Sequence, residues 1–354
     1  MRENQSIIIP LARDIFSGII ISMEILKAFN KSRWNREPDF FEVWYLTFND
    51  TKTRDGYWIR FTLVVPKNIF DSPFLNVWFT AFRSDGVISA ISENFKISES
   101  DFSEEHIKIG ESYLKGDTTS GRISSGNHNI SWDLRMSDGG EFLHLPRQIY
   151  DIPVLHSYLA SPNVSFDISG KINIDGKDME ISGRGTQSHI WGRQMPDNWT
   201  WAHSENFENH KGFMELISIN TRMGILGDIS STRILIKFDE EEFSFTTIKD
   251  IGFKDCSVFP EYLFFATGRK YKIEGKLYCD RNRFIQYNYP SPSRKEVYCS
   301  NTETGSCSIV VYKRDSITKP FVYYTVLKNS GFTHYEFGGL RRNEQISVAN
   351  QPQL

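Results

Sequence analysis

The hydrophobic positions of the chain follow two successive periods. Leu11, Ile15, Ile19, Met23, Leu26 and Phe29 recur along one helical stripe and predict an amphipathic helix from about Asp14 to Phe29. Pro10, Arg13, Asp14 and Glu24 interrupt the apolar stretch, and its longest uncharged run after Asp14, Ile15 to Met23, is nine residues, too short to span a bilayer. Lys27, Ala28 and Phe29 follow it where a leader peptide would place a small-residue cleavage site, so a cytoplasmic location is expected. The helix is expected to pack on the body of the protein, with peripheral contact to a membrane surface as the alternative.

After Asn30 the period becomes two. Phe41 to Phe48 and Tyr57 to Val65 read as strands joined by the polar turn stretch NDTKTRDG. Leu75 to Phe82, Val87 to Ile97 and Ile107 to Leu114 continue the series, and Ser120 to Met136 reads as a pair turning at Ser125 to Asn127. Ser165 to Gly183 is a hairpin signal with Asp175-Gly176 at its tip. A second series runs through Gly212 to Asn220, Thr232 to Phe238, Glu242 to Thr247, Tyr271 to Cys279, Phe284 to Tyr289, Ser308 to Lys313, Val322 to Leu327 and Thr333 to Phe337. No helical stretch separates these strands, which disfavours a parallel sheet. Two sets of short strands that must close or protect their edges predict two antiparallel barrels, over residues 31–197 and 198–342, after an N-terminal helix in 1–30. The polar tail, 343–354, is expected to fray.

Between the two series lies HIWGRQMPDNWTWAHSENF, His189 to Phe207, which holds three of the eight tryptophans and two of the eight histidines. Alternation along a strand puts Trp199, Trp201, His203, Glu205 and Phe207 on one face. Large aromatics interleaved with one imidazole and one carboxylate suit a pocket wall for an apolar ligand with one polar spot. Ser204 points to the opposite face from His203, so the two do not form a nucleophile–base pair. Arg184, Arg193 and Arg222 are candidate partners for a buried Glu205. Tyr45 and Arg60, on the first hairpin, are secondary candidates.

Composition narrows the function classes. Aromatics reach 14%, with Phe 27 and Tyr 15, while the net charge is −3 and no basic run is interleaved with aromatics, so a nucleic-acid partner is not expected. Cys256, Cys279, Cys299 and Cys307 match no zinc spacing; free thiols are favoured over one disulfide. No dinucleotide, Walker, nucleophile-elbow or H-E-x-x-H motif is present, and neither an organic cofactor nor a metal is expected.

SRWNREPDFFEVWYLTFND, GYWIRFTLVVP, LHSYLASPNVSFDISGKINIDGKDMEISGRGTQSHIWG and WTWAHSENF together resemble the lipocalin-like superfamily of carotenoid 1,2-hydratases, also called hydroxyneurosporene-synthase-like or AttH-like. That group is related to plant tocopherol cyclases and fungal lipocalin-like pericyclases. The resemblance spans roughly residues 32 to 340 and is most specific in the central G-x-G-x-Q-x-H-x-W-G…W-x-W-x-H run. It implies an all-β fold of two tandem lipocalin-like (calycin) antiparallel β-barrels and chemistry on isoprenoids, by proton-initiated hydration, cyclisation or cycloaddition. It places His189, Trp191, Trp199, Trp201 and His203 in the family's central motif. No catalytic acid is carried over; Glu205 is the acid that the local pattern nominates.

Two functions follow as expectations. In the first, a cofactor-independent enzyme acts on an apolar isoprenoid- or polyketide-like substrate. His203 or Glu205 protonates it, Trp199 and Trp201 face developing positive charge, and burial raises the Glu205 pKa. In the second, the same side chains, with His189, Trp191, Phe207, Tyr45 and Arg60, hold a lipid or isoprenoid that is carried unchanged. The plain alternative to both is that the aromatics are core and the polar groups an internal network.

Overall fold

The structure is a computed structural model and describes residues 27–222, 227–246, 252–293 and 295–349. Strands in the first half are β1 (Phe40–Asp50), β2 (Gly56–Val65), β3 (Phe74–Phe82), β4 (Ile88–Phe95), β5 (Ser100–Phe102), β6 (Ile107–Ile109), β7 (Ser112–Lys115), β8 (Thr118–Ser125), β9 (His128–Met136), β10 (Phe142–Leu143), β11 (Ser157–Ile174) and β12 (Lys177–Gly192). They form one antiparallel sheet in the order β4-β3-β2-β1-β12-β11-β9-β8-β7-β6-β5, with β10 on β11. The second half gives β13 (Asn198–Glu205), β14 (Gly212–Arg222), β15 (Asp228–Phe238), β16 (Glu241–Thr246), β17 (Lys254–Val258), β18 (Glu261–Thr267), β19 (Tyr271–Tyr278), β20 (Ile285–Tyr289), β21 (Val297–Lys313) and β22 (Val322–Gly339). Their order is β16-β15-β14-β13-β22-β21-β19-β18-β17, with β20 on β21.

The first sheet curls into a nearly closed barrel: the Ser124 amide on β8 donates to Glu93 on β4, 2.7 Å away. Its inner face carries the alternate residues Trp44, Leu46 and Phe48, Ile59, Phe61 and Leu63, and Trp132 and Leu134, all buried. This barrel is therefore filled by its own side chains. The second sheet wraps a separate core of Met214, Leu216, Ile234, Phe264, Ile273 and Ile309. The outer faces of β1–β3 and of β13 with β20–β22 pack on each other through Phe41, Val43, Tyr45, Trp58, Trp78, Trp201, Tyr287 and Tyr289. That seam positions the candidate site.

Local chemistry explains most of the elements. The β11–β12 hairpin turns at Asp175 (φ 52°) and Gly176 (φ 83°), the left-handed pair that a two-residue hairpin requires. Ile107 to Leu114, expected as one strand, breaks into β6 and β7 because Gly110 (φ 59°) turns the chain between them. Val322 to Leu327 and Thr333 to Phe337, expected as two strands, are one strand whose register shifts against β21. The amphipathic helix expected over Asp14 to Phe29 lies outside the described residues except for its last three. Of these Ala28 and Phe29 open a short 3-10 turn, Ala28–Asn30, with Phe29 buried. The tail does not fray over 343–349. Gln286 receives the Asn343 amide and Ala349 donates to the Gln286 carbonyl, both at 2.7 Å, and Ile346 is buried in the second core.

Candidate functional site at the seam between the sheets

The His189–Phe207 segment serves two different places. His189 and Trp191 end β12, paired with Trp44 and Glu42 on β1, and so face the interior of the first barrel. The imidazole lies between Trp44 (ring centroids 4.9 Å apart, 10° between planes) and Trp191 (4.6 Å). Its Nδ1 donates to the Phe29 carbonyl at 2.6 Å and its Nε2 meets Glu42 Oε1 at 3.0 Å. Glu42 also receives the Arg33 amide at 2.5 Å and the Ser32 hydroxyl at 2.7 Å. Trp191 packs on Phe29, Tyr150 and Tyr158. These contacts fasten residues 29–33 across one end of the barrel, so His189 and Trp191 do not converge with His203 and Glu205.

Trp199, Trp201, His203 and Glu205 do share a face, as alternation along β13 requires, and that face meets the first sheet. Phe207 leaves it. β13 ends at Glu205, Asn206 takes a left-handed conformation (φ 56°), and Phe207 turns into the second sheet's core. The face expected to carry all five residues therefore carries four.

His203 is the centre of this face and is fully buried. Its Nδ1 contacts Glu215 Oε2 and its Nε2 contacts Glu205 Oε1, both at 2.8 Å. Glu215 stands directly opposite on β14. Its Oε1 accepts the Trp201 indole N–H at 2.9 Å and the Ser161 hydroxyl at 3.1 Å, and His144 Nε2 lies 3.6 Å away. Burial by itself would pull the His203 pKa down. Hydrogen bonds to Glu205 and Glu215, with their charge, outweigh it and push it up to about 9. Burial would raise Glu215, yet hydrogen bonds from His144 and His203 hold it down at about 2. For His144 burial wins and keeps the ring toward its neutral form.

Glu205 does not sit among tryptophan faces as expected. Its second oxygen lies 3.2 Å from the Arg184 guanidinium, one of the three arginines nominated as partners, and Arg184 reaches on to exposed Asp167. The carboxyl that burial does drive toward its neutral form is Glu336, opposite Trp201 on β22. Its oxygens accept the Trp199 indole N–H at 2.7 Å and the Cys299 thiol at 3.1 Å.

Tyr45 and Arg60, a cross-strand pair on β1 and β2, line the first-sheet side of the same seam. Tyr45 meets Trp201 edge to face at 5.5 Å, and burial pushes its phenol well above the usual range. Arg60 lies over the Tyr289 ring at 3.5 Å. Thr47 of the first sheet also contacts Glu303 and His334 of the second. Sequence reasoning did not nominate Glu215, His144 or Glu336. Period-two spacing in FMELI and HYEFG carries the signal for the two acids, whereas His144 sits in an irregular stretch without one. Clefts of about 720 and 520 Å³ open elsewhere, one over Glu93, Asp101 and Arg122, the other over Arg54, Cys279 and Arg283, and no residue of 189–207 lines either. All four cysteines are free thiols.

Comparison with known proteins places this geometry. The model of the tocopherol cyclase-like family matches residues 167–339. An uncharacterized protein of Mycobacterium tuberculosis is 21% identical over 291 residues, 78% of this chain and 83% of its own length. The crystal structure of an AttH-type protein from Nitrosomonas europaea superposes with a TM-score of 0.51 at 13% identity, covering 85% of this chain and 93% of that one. That of CghA superposes with a TM-score of 0.55 at 9% identity, covering 85% and 88%. The resemblance read from the central motif is thus shown: the chain is similar to the tocopherol cyclase-like family, and its fold is that of the AttH-like, lipocalin-like proteins.

Proposed function

We propose that the protein is an enzyme, independent of an organic cofactor, that protonates an apolar isoprenoid- or polyketide-like substrate in a hydration or cyclisation, in a pocket between the two sheets. The boundary of the two barrel domains is placed at 197/198 in this reading. The observation that carries it is the imidazole of His203, fully buried and held between two carboxylates. Such a group keeps its proton at neutral pH, the form that a general acid requires. Glu205, at the end of β13 and bridged to half-exposed Arg184, takes the proton back from solvent. Trp199 and Trp201 offer π faces to developing positive charge, an attraction of about 0.5–2 kcal/mol each. The face is closed in this structure, so substrate entry requires the side chains covering it to move. The cyclase in the name of the matching family supports this class of chemistry.

One observation favours a second reading, a carrier of lipid or isoprenoid: both nitrogens of His203 are already engaged, which suits a fixed framework around a ligand. The two are separated by extracting natively purified protein, identifying the co-purifying compound by mass spectrometry, and incubating it with protein in D₂O. The enzyme reading expects deuterium bound to carbon in the product, lost in His203→Gln and Glu205→Gln variants that still fold. Release of the compound unlabelled and unchanged supports the carrier and overturns the enzyme.

A further inference from the structure

Among the described buried polar groups of the seam is a guanidinium that no acid bonds. The Arg60 side chain is 3% exposed, and its guanidinium has neither a hydrogen bond nor an ion pair among the described residues. Its contacts are the faces of Tyr289, at 3.5 Å, and Trp58, at 5.8 Å. A guanidinium carries five N–H donors, and cation–π attraction offsets only part of the cost of taking it out of water.

The acids nearby do not bond it. Glu336 is occupied by Trp199 and Cys299, and burial drives it toward its neutral form. Glu303 holds Thr47 and His334 through Oε2, and its Oε1 reaches no donor among the described residues, Arg60 included. A second observation is independent of the charge. Thr62 Oγ1, Asn76 Oδ1 and Ser92 Oγ are buried without a hydrogen-bond partner among the described residues. Thr62 is two residues from Arg60 on β2 and pairs with Asn76 on β3, while Arg60 pairs with Trp78, which pairs with Ser92 on β4. All four polar groups therefore lie on one sheet face. Around them stand Tyr45, Trp58, Trp78, Trp201 and Tyr287, an apolar surround.

We infer that Arg60 is the centre of an anion site in the seam, and that the ligand it takes is an apolar molecule ending in a carboxylate. The inference rests on the apolar substrate proposed above and adds its head group. The planar fork of a guanidinium matches a carboxylate through two parallel hydrogen bonds. One guanidinium balances one negative charge, so a diphosphate head is a poor match. The hydroxyls of Thr62 and Ser92 supply further donors at the rim.

The test uses the full chain, delipidated, with two fluorescent probes that differ only at the head: cis-parinaric acid and its methyl ester. The acid is expected to bind at least ten-fold more tightly than the ester at neutral pH. Arg60→Met is expected to abolish that preference with ester binding retained. Arg60→Lys, which keeps the charge without the fork, is expected to retain part of it and stands in if the methionine variant does not fold. Equal binding of acid and ester, or a preference that persists in Arg60→Met, overturns the carboxylate site while leaving an apolar seam standing. Binding of neither probe overturns both the site and the apolar pocket on which it rests.

Discussion

His203 and Glu215 face each other across neighbouring strands, 2.8 Å apart and both without solvent exposure, and each sets the charge of the other. The imidazole is pushed up to about 9 from an ordinary value of 6.5, and the carboxyl is held at about 2 against 4.5. A raised histidine stabilises fully below 6.5, and that contribution is lost as pH rises through about 9. A depressed carboxyl stabilises above 4.5, and that contribution is lost as pH falls toward about 2. Stability should therefore be highest between those limits and decline on the alkaline side by on the order of 3 kcal/mol. Urea unfolding measured from pH 5 to pH 10 checks the decline.

Replacing the carboxylate separates its charge from its shape. Glu215→Ala leaves the Trp201 indole N–H and the Nδ1–H of His203 without an acceptor and removes one partner of the Ser161 hydroxyl, and should cost about 3–5 kcal/mol. Glu215→Gln keeps an oxygen for Trp201 and Ser161 and offers its amide to Nδ1 of a neutral His203. It should fold, with the histidine titrating at lower pH in an NMR experiment and the alkaline decline reduced. A glutamine variant with an unchanged alkaline profile would show that Glu215 does not hold the proton on His203.

The strand pattern was legible because alternation is local, and the hairpin at Asp175-Gly176 and the face shared by Trp199, Trp201, His203 and Glu205 follow from it. What opposes that face was not legible. Glu215 and Glu336 reach His203 and Trp201 only through pairing with β14 and β22, whose registers depend on the whole sheet. Phe207 was misplaced because a single left-handed residue, Asn206, reverses the face after Glu205. Nearness in sequence also joined His189 to His203, although the chain passes from one sheet to the other between Gly192 and Asn198.

Glu42 is the clasp that holds residues 29–33 on the first barrel, through the Arg33 amide, the Ser32 hydroxyl and His189. Glu42→Ala leaves a buried imidazole facing no acid and frees the Arg33 amide. Hydrogen exchange at Arg33 should accelerate by orders of magnitude, while the amides of β2 and β3, bonded within the sheet, keep their protection. Unchanged exchange at Arg33 would mean that aromatic packing on Trp191 alone fastens the segment.

At Gly56 the two sheets lie too close for a side chain. A Cβ there would stand 2.5 Å from the Glu303 Cβ and 2.7 Å from its carbonyl oxygen, which itself accepts the Asn49 amide. The obstacle is backbone on an adjacent sheet, which cannot rotate away. Gly56→Ala should destabilise by about 1–3 kcal/mol and disturb Thr47, Glu303 and His334 rather than either core. Thermal unfolding within 0.5 kcal/mol of wild type would show that the sheets separate easily at this point.

Glu336 is the acid whose replacement should help the fold. Its carboxyl is fully buried, and desolvation outweighs the hydrogen bonds from Cys299 and Trp199 and the charge of Arg60, so its pKa is raised. A carboxyl raised in the folded state costs nothing below its unfolded value of 4.5 and destabilises progressively as pH climbs through the folded one. Glu336→Gln removes that cost, and its amide oxygen still accepts the Trp199 indole at the position of Oε1. The variant should match wild type at pH 4 and exceed it in unfolding midpoint at pH 8, the opposite sign to any Glu215 variant. If Glu336 instead ionises against Arg60, the glutamine would leave the guanidinium without a counter-charge and lower the midpoint at pH 8. The same measurement therefore decides whether this buried carboxyl is a neutral acid or the partner that Arg60 lacks.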